Sequence, residues 1–219
     1  MLQLVQILTK LPSNYRQLVT LDWSKSWKAV VCAVVSGIVL LITVGWLLVQ
    51  FTHLLRPTAL EGISFSGILT LTPDGSTSIM LPFQLIVDAI VAIVLVMFIH
   101  ELVHGVFFWR FTGLHPTFRI KGLYIHTAAP SDIYFPRNQY LAVGIAPFVL
   151  LTLVGLLLMV IVPVVIVPIL ILSIAFNAAG AAGDLLMFAW LLSYPPDTLM
   201  QDNSTNVIVY GPDKSWKPV

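Results

Sequence analysis

The chain has 219 residues, of which 58% are hydrophobic and 10% are charged, and its formal net charge is +1. Because a soluble domain carries roughly 25% charged residues, this composition excludes an ordinary soluble protein and predicts an integral membrane protein. The basic residues are scattered without an aromatic and basic stripe, so nucleic acid is not an expected partner. The single cysteine, Cys32, excludes a disulfide framework and a cysteine-based metal site.

The first half of the chain predicts two membrane spans. Residues 1–28 mix apolar and basic side chains and are typical of an interfacial amphipathic segment. A first span follows at about 29–51, long enough to cross roughly 30 Å of hydrocarbon. Pro73-Asp74-Gly75 then predicts the turn of a short β-hairpin. The second span runs from about Leu81 to Trp109.

The second half predicts two further spans. Phe118 to His126 roughly alternates in polarity, which indicates a strand or hairpin between the second and third spans. Residues 140–192 contain no Lys or Arg, and that length suits two helices with their turn between Pro163 and Pro168. Pro147 is expected to kink the third span, and the fourth runs from about Pro168 to Leu192.

These elements predict an all-α membrane protein with four transmembrane helices and a short β-hairpin or strand in the loops. The expected domains are the interfacial segment (1–28), the four-helix domain (29–192) and a polar, loosely ordered C-terminal tail (193–219). Because basic residues concentrate in cytoplasmic loops, they place both termini in the cytoplasm. The basic residues on that side are Lys10, Arg16, Lys25, Lys28, Arg110, Arg119, Lys121, Arg137, Lys214 and Lys217, against Arg56 outside.

The second span carries the pattern His100-Glu101-Leu102-Val103-His104. Residues four apart share one face of a helix, so His100 and His104 can bind the same metal ion. Glu101 lies beside them as the candidate general base. Two histidines and a glutamate at this spacing are the zincin signature, and a glutamate within lipid is costly without a function.

A catalytic zinc site normally has three protein ligands, and Asp184 is the candidate for the third. The second and fourth spans run in the same direction, and at ~1.5 Å per residue His100 and Asp184 lie at similar depths, roughly 28 and 24 Å. A buried acid is a ligand, one half of an ion pair, or protonated. The small residues from Asn177 to Gly183 would let the two helices approach closely.

Two further residues are candidates for contacts with substrate. Asn177 shares a helix face with Asp184 and could contact a substrate or an oxyanion, or could simply form a hydrogen bond between helices. His126 could contact substrate from the second loop, or could be an ordinary surface histidine.

These residues resemble a family of bacterial zincin peptidases of otherwise unassigned function, which pair a membrane His-Glu-Leu-x-His with a later Asn-to-Gly-Asp segment. The chain is more remotely similar to site-2 proteases, the intramembrane zinc metalloproteases, although their aspartate precedes a glycine and Asp184 follows one. The resemblance implies that His100, His104 and Asp184 bind zinc and that Glu101 is the general base. It also implies a substrate contact for Asn177.

The predicted function is a membrane-embedded zinc metallopeptidase that hydrolyses peptide bonds of membrane or membrane-proximal substrates. The expected location is the bacterial cell membrane, and the expected partners are the lipid bilayer and a membrane protein or peptide substrate. The segment 118–126 would pair with a locally unwound substrate by strand addition. One alternative is a non-catalytic membrane zinc-binding protein or scaffold. A metal transporter is the second alternative. It is disfavoured because a transporter carries acids and histidines at several depths along a path, whereas here they gather at one level.

Overall fold

The computed structural model describes residues 8–22, 26–60, 69–71, 77–79, 83–121, 124–129, 133–203 and 206–213. Only the backbone is described for 69–71, 77–79, 119–121, 124–126 and 128. Most of the described part is helical, since its apolar runs are long and contain few helix breakers. The helices are α1 (Trp27–Leu55), α2 (Phe83–Thr112), α3 (Arg137–Ile161), α4 (Val167–Gly180) and α5 (Ala182–Leu191).

Three of these helices, α1 to α3, are long and apolar enough to cross a membrane, and a fourth span exists if α4 and α5 count as one. The fourth span, predicted to run from about Pro168 to Leu192, is divided into two helices in the structure. The chain bends by 42° between α4 and α5, at Ala181, whose backbone φ and ψ are −72° and −2°. Gly180, a poor helix former, stands directly before this break.

The helices pack around α4, which contacts α1, α2 and α3. Small residues allow this close approach: a Cβ at Gly37 of α1 would lie 3.0 Å from the carbonyl oxygen of Ala179. Next to this contact, Val167, Ile171 and Ile174 of α4 form a buried apolar cluster with Leu48 of α1. The packing fixes α4 beside α2, the helix that carries both histidines.

The described strands are short and all their pairings are antiparallel. They are β1 (Tyr15–Leu21), β2 (Leu69–Leu71), β3 (Thr77–Ile79), β4 (Thr117–Lys121), β5 (Tyr124–Ala128), β6 (Phe135–Pro136), β7 (Leu199–Asp202) and β8 (Val207–Pro212). The all-α prediction is therefore wrong in part, because a four-stranded sheet of order β1-β8-β7-β6 accompanies the helices.

This sheet joins three segments that are distant in sequence. Strand β1 comes from the segment predicted to be interfacial, and β7 (Leu199–Asp202) and β8 (Val207–Pro212) lie within the segment predicted to be a loosely ordered tail. Phe135 of β6, Met200 of β7 and Val209 of β8 pair across these strands, and all three are fully buried. The hydroxyl of Tyr140 in α3 donates to Asp202 Oδ2 at 2.9 Å, so the sheet is attached to the start of α3.

Two hairpins occupy the loops that follow α1 and α2. In the first, β2 pairs with β3, and the predicted Pro73-Asp74-Gly75 turn lies outside the described residues. In the second, β4 pairs with β5 within the segment predicted to be a strand or hairpin. This second hairpin lies against α2, where a Cβ at Gly105 would be 2.9 Å from the Phe118 ring.

Candidate metal centre

The two histidines lie one turn apart on the buried face of α2, and both reach the same carboxylate. Asp184 Oδ2 lies 3.0 Å from Nε2 of His100 and 3.4 Å from Nε2 of His104. Asp184 is in the first turn of α5, so the break after Gly180 brings this turn against α2. The structure therefore brings together all three residues that the sequence proposed as ligands.

The donor set suits a zinc ion. Tetrahedral zinc with ligand distances of about 2.0–2.1 Å has its ligand atoms about 3.3 Å apart. The two nitrogen–oxygen distances of 3.0 and 3.4 Å are close to this value. The potential ligand atoms of His100, Glu101 and His104 also lie within 4.8 Å of one another. Zinc is the metal most often bound by two imidazoles and one carboxylate in hydrolases, so these residues fit it.

The ring of His100 is oriented by Asn177 of α4. His100 Nδ1 lies 3.0 Å from Asn177 Oδ1, and this pairing assigns the proton to Nδ1 because an amide oxygen only accepts. The amide nitrogen of Asn177 donates in turn to the carbonyls of Pro147 and Phe148, at 3.3 and 3.4 Å. In the neutral imidazole, Nε2 would then be free to bind a metal ion held between His100 and Asp184.

The ring of His104 is oriented by the backbone of α3. Its Nδ1 lies 3.0 Å from the carbonyl oxygen of Val143, so this nitrogen also carries the proton. His100 and His104 meet edge to face, with ring centroids 4.9 Å apart. Both imidazoles thus present Nε2 to the same point, and both are fixed by partners on neighbouring helices.

Glu101 is held by the hairpin that follows α2. The backbone N–H of Thr127 in β5 donates to Glu101 Oε2 at 2.7 Å, and the Thr127 hydroxyl donates to the Glu101 carbonyl at 2.8 Å. Thr127 is itself buried. The bond to Oε2 leaves the second carboxylate oxygen, Oε1, available to accept a proton.

The remaining sequence candidates lie at or beside this centre. Asn177 is fully buried, and its amide forms hydrogen bonds with His100 of α2 and with two carbonyls of α3. These bonds agree with the alternative in which Asn177 forms a hydrogen bond between helices. The backbone of His126 pairs with Arg119 in the hairpin, and its side chain is outside the described part. Substrate contacts for both residues stay predictions.

Sequence reasoning missed Thr127 and the Val143 carbonyl. A threonine at the end of an alternating segment has no special pattern, and a backbone carbonyl has no residue signature. The only available signal was Pro147, because proline in a helix leaves the carbonyl four residues earlier without its usual donor.

Comparison with known families supports this assignment. Residues 93–199, which contain the two histidines, Glu101, Thr127 and Asp184, match the family model described as "Putative zincin peptidase". Over these residues the chain is similar to this zincin family. The match confirms the resemblance predicted from the sequence. Comparisons with curated proteins and with solved structures return no match.

Proposed function

We propose that this protein is a membrane-embedded zinc metallopeptidase that cleaves membrane or membrane-proximal polypeptides. The observation that carries the proposal is the Asp184 carboxylate lying between the Nε2 atoms of His100 and His104, with Glu101 beside them. A polar contact between helices would not need a glutamate at this position. A site that activates water does need such a base.

His100, His104 and Asp184 would hold the zinc ion. When bound, zinc supplies Lewis-acid chemistry, lowering the pKa of a water molecule towards 7 and polarising the scissile carbonyl. The Asp184 side chain is 32% exposed, whereas those of His100 and His104 are 10% and 11% exposed. The centre is therefore open on the Asp184 side and closed behind the two imidazoles.

Glu101 performs the proton transfers in this proposal. Its free oxygen takes a proton from the attacking water and later delivers it to the leaving amine. Thr127 holds the other oxygen, so the carboxylate does not have to find its orientation during the reaction. Because Thr127 holds one carboxylate oxygen and the other is free, the contacts of Glu101 support a role as general base rather than as a fourth metal ligand.

The outer surfaces of the helices support a location in a bilayer. Large apolar side chains face outwards along α1 and α3, among them Ile42 (65% exposed), Leu157 (70%) and Ile161 (76%). Such a surface would be an aggregation hazard in water. In the proposal it faces lipid in the bacterial cell membrane.

The four-stranded sheet supports the predicted topology. Strands β1, β6, β7 and β8 come from the N-terminal segment, the loop between α2 and α3, and the tail. Strands of one sheet must lie on the same side of a membrane. These three segments also hold most of the basic residues, so we place both termini in the cytoplasm and the metal centre nearer that side.

We further propose that the substrate binds as an extended strand along β5. Successive N–H groups of a strand point alternately to its two edges. Since Thr127 directs its N–H to Glu101, Ile125 directs its own to the same edge. A substrate strand added there would place a peptide bond beside Glu101. A transmembrane substrate would have to unwind locally to adopt this form.

The proposed function is tested by mapping new protein N-termini in membranes from cells that express the wild type or Glu101→Gln. We expect termini within or beside apolar segments that require Glu101. Asp88→Asn is the matched control, because Asp88 is a buried acid of the same helix that bonds to Gln84. Zinc-loaded wild type with no Glu101-dependent termini would contradict catalysis and favour the non-catalytic zinc-binding alternative.

A further inference from the structure

Pro147 interrupts the hydrogen bonding of α3 beside the metal centre. The helix continues on both sides of it, from Arg137 to Ile161, and Pro147 is fully buried. Proline has no backbone N–H, so the carbonyl of Val143, four residues earlier, lacks its helical donor. The proline ring also pushes that carbonyl away from the helix axis.

The donor that replaces it comes from the metal centre. His104 Nδ1 lies 3.0 Å from the Val143 carbonyl oxygen, so the imidazole occupies the position that the missing N–H leaves open. A buried carbonyl without a partner is costly. The bond therefore satisfies the backbone of α3 and at the same time fixes the tautomer and the ring orientation of His104.

The same turn of α3 also acts on His100. The carbonyls of Pro147 and Phe148 accept from the amide nitrogen of Asn177, whose oxygen bonds to His100 Nδ1. Both imidazoles are thus oriented by one short stretch of α3, from Val143 to Phe148. Among the α-helices of the described residues, Pro147 is the only proline that lies beyond the first turn.

We propose that Pro147 is a positioning residue of the metal centre. By withholding an N–H from Val143 it keeps one backbone carbonyl turned towards α2, and this carbonyl holds His104 with its Nε2 free for the metal. The inference rests on the proposed zinc site. It assigns a function to a residue outside the proposed set of ligands.

Replacement of Pro147 by alanine restores the N–H. The Val143 carbonyl then returns to the helix axis and accepts from the restored N–H, and its bond to His104 weakens. Loss of such an orienting partner typically lowers metal affinity by about 10- to 100-fold. Because alanine favours helix far more than proline does, we expect the metal-free Pro147→Ala protein to melt at an unchanged or higher temperature.

The experiment measures zinc affinity of the full chain in detergent by competition with a chromogenic chelator, together with the Tm of the metal-free protein. Pro168→Ala is the matched control. Pro168 stands in the first turn of α4, where a missing N–H has no helical acceptor. We expect Pro168→Ala to bind zinc as the wild type does and Pro147→Ala to bind it about 10- to 100-fold more weakly.

Gly144→Ala separates positioning from general damage, because Gly144 lies in the same turn of α3 and a Cβ there would have nothing within 4 Å. If Pro147 acts by withholding its N–H, Gly144→Ala binds zinc as the wild type does. An equal loss of affinity in Gly144→Ala and Pro147→Ala would overturn the inference, as would wild-type affinity in Pro147→Ala. If the alanine variant does not fold, Pro147→Val restores the N–H with an apolar side chain that fills the space of the proline ring, and it is scored in the same way. A folded wild type that binds no zinc would overturn this inference and the proposed function together.

Discussion

The hydrogen bonds between Thr127 and Glu101 connect the hairpin to the candidate base. The Thr127 N–H donates to Oε2 at 2.7 Å, and its hydroxyl donates to the carbonyl of the same residue at 2.8 Å. One residue thus holds both the side chain and the backbone of Glu101. The hairpin is therefore part of the centre, although it contributes no metal ligand.

Thr127→Val keeps the shape of this residue and removes the hydroxyl bond. A hydrogen bond is worth about 0.5–1.5 kcal/mol net, so we expect turnover to fall by up to about tenfold with zinc content unchanged. The measurement is the cleavage rate of a substrate identified by its Glu101-dependent terminus. Thr112→Val is the control, because that buried hydroxyl donates to Phe108 within α2, away from Glu101. An equal effect of the two variants would contradict a specific role for Thr127.

Asn177→Leu should weaken zinc binding by removing the acceptor of His100 Nδ1. The expected loss of affinity is about 10- to 100-fold, as for other orienting partners of metal-bound histidines. Asn177→Asp retains an oxygen at this position and should keep most of the affinity. The measurement is chelator competition in detergent. Wild-type affinity in Asn177→Leu would show that this amide is only a contact between helices.

Arg56 is expected to stabilise the fold without affecting the metal. Its Nη1 donates to the carbonyls of Met159, at 3.1 Å, and Val162, at 2.6 Å, which end α3. These carbonyls have no helical donors of their own. Arg56→Ala should therefore lower the free energy of unfolding by about 1–3 kcal/mol, seen as a lower Tm, at unchanged zinc affinity. A loss of zinc affinity would show that this end of α3 is coupled to the centre.

Gly37 and Gly144 should respond in opposite ways to alanine. Gly37 lies against Ala179, where a Cβ would be 3.0 Å from a backbone oxygen, so Gly37→Ala must separate α1 from α4. A Cβ at Gly144 of α3 would have nothing within 4 Å, so Gly144→Ala should stabilise the helix by about 0.5–1 kcal/mol. Thermal melting of the two variants gives the comparison. A Gly37→Ala protein as stable as Gly144→Ala would contradict close packing of α1 on α4.

Features of the fold and of the candidate site that depend on the geometry of single helices could be predicted from the sequence. The spacing of His100 and His104 fixes a shared helix face, and long apolar runs predicted the long helices to within a few residues. Depth along two parallel spans was enough to place Asp184 with the histidines. Each of these arguments needs only the geometry of one helix or the thickness of a bilayer.

What the sequence could not give depends on contacts between distant segments. Tyr15 pairs with Pro212, and no local pattern in either segment names its partner. The bend at Ala181 has no signature in the sequence, since small residues alone do not require a break. Thr127 reaches Glu101 only because the hairpin folds back on α2.

The most direct test of the account is the metal content of the purified full chain, measured for wild type, Glu101→Ala and Asp184→Ala. The account predicts about one equivalent of zinc in wild type and in Glu101→Ala, because Glu101 is a base rather than a ligand. It predicts loss of zinc in Asp184→Ala, whose carboxylate lies 3.0 and 3.4 Å from the two imidazole nitrogens. A well-folded wild type without metal, or full zinc content in Asp184→Ala, would contradict the three-ligand centre.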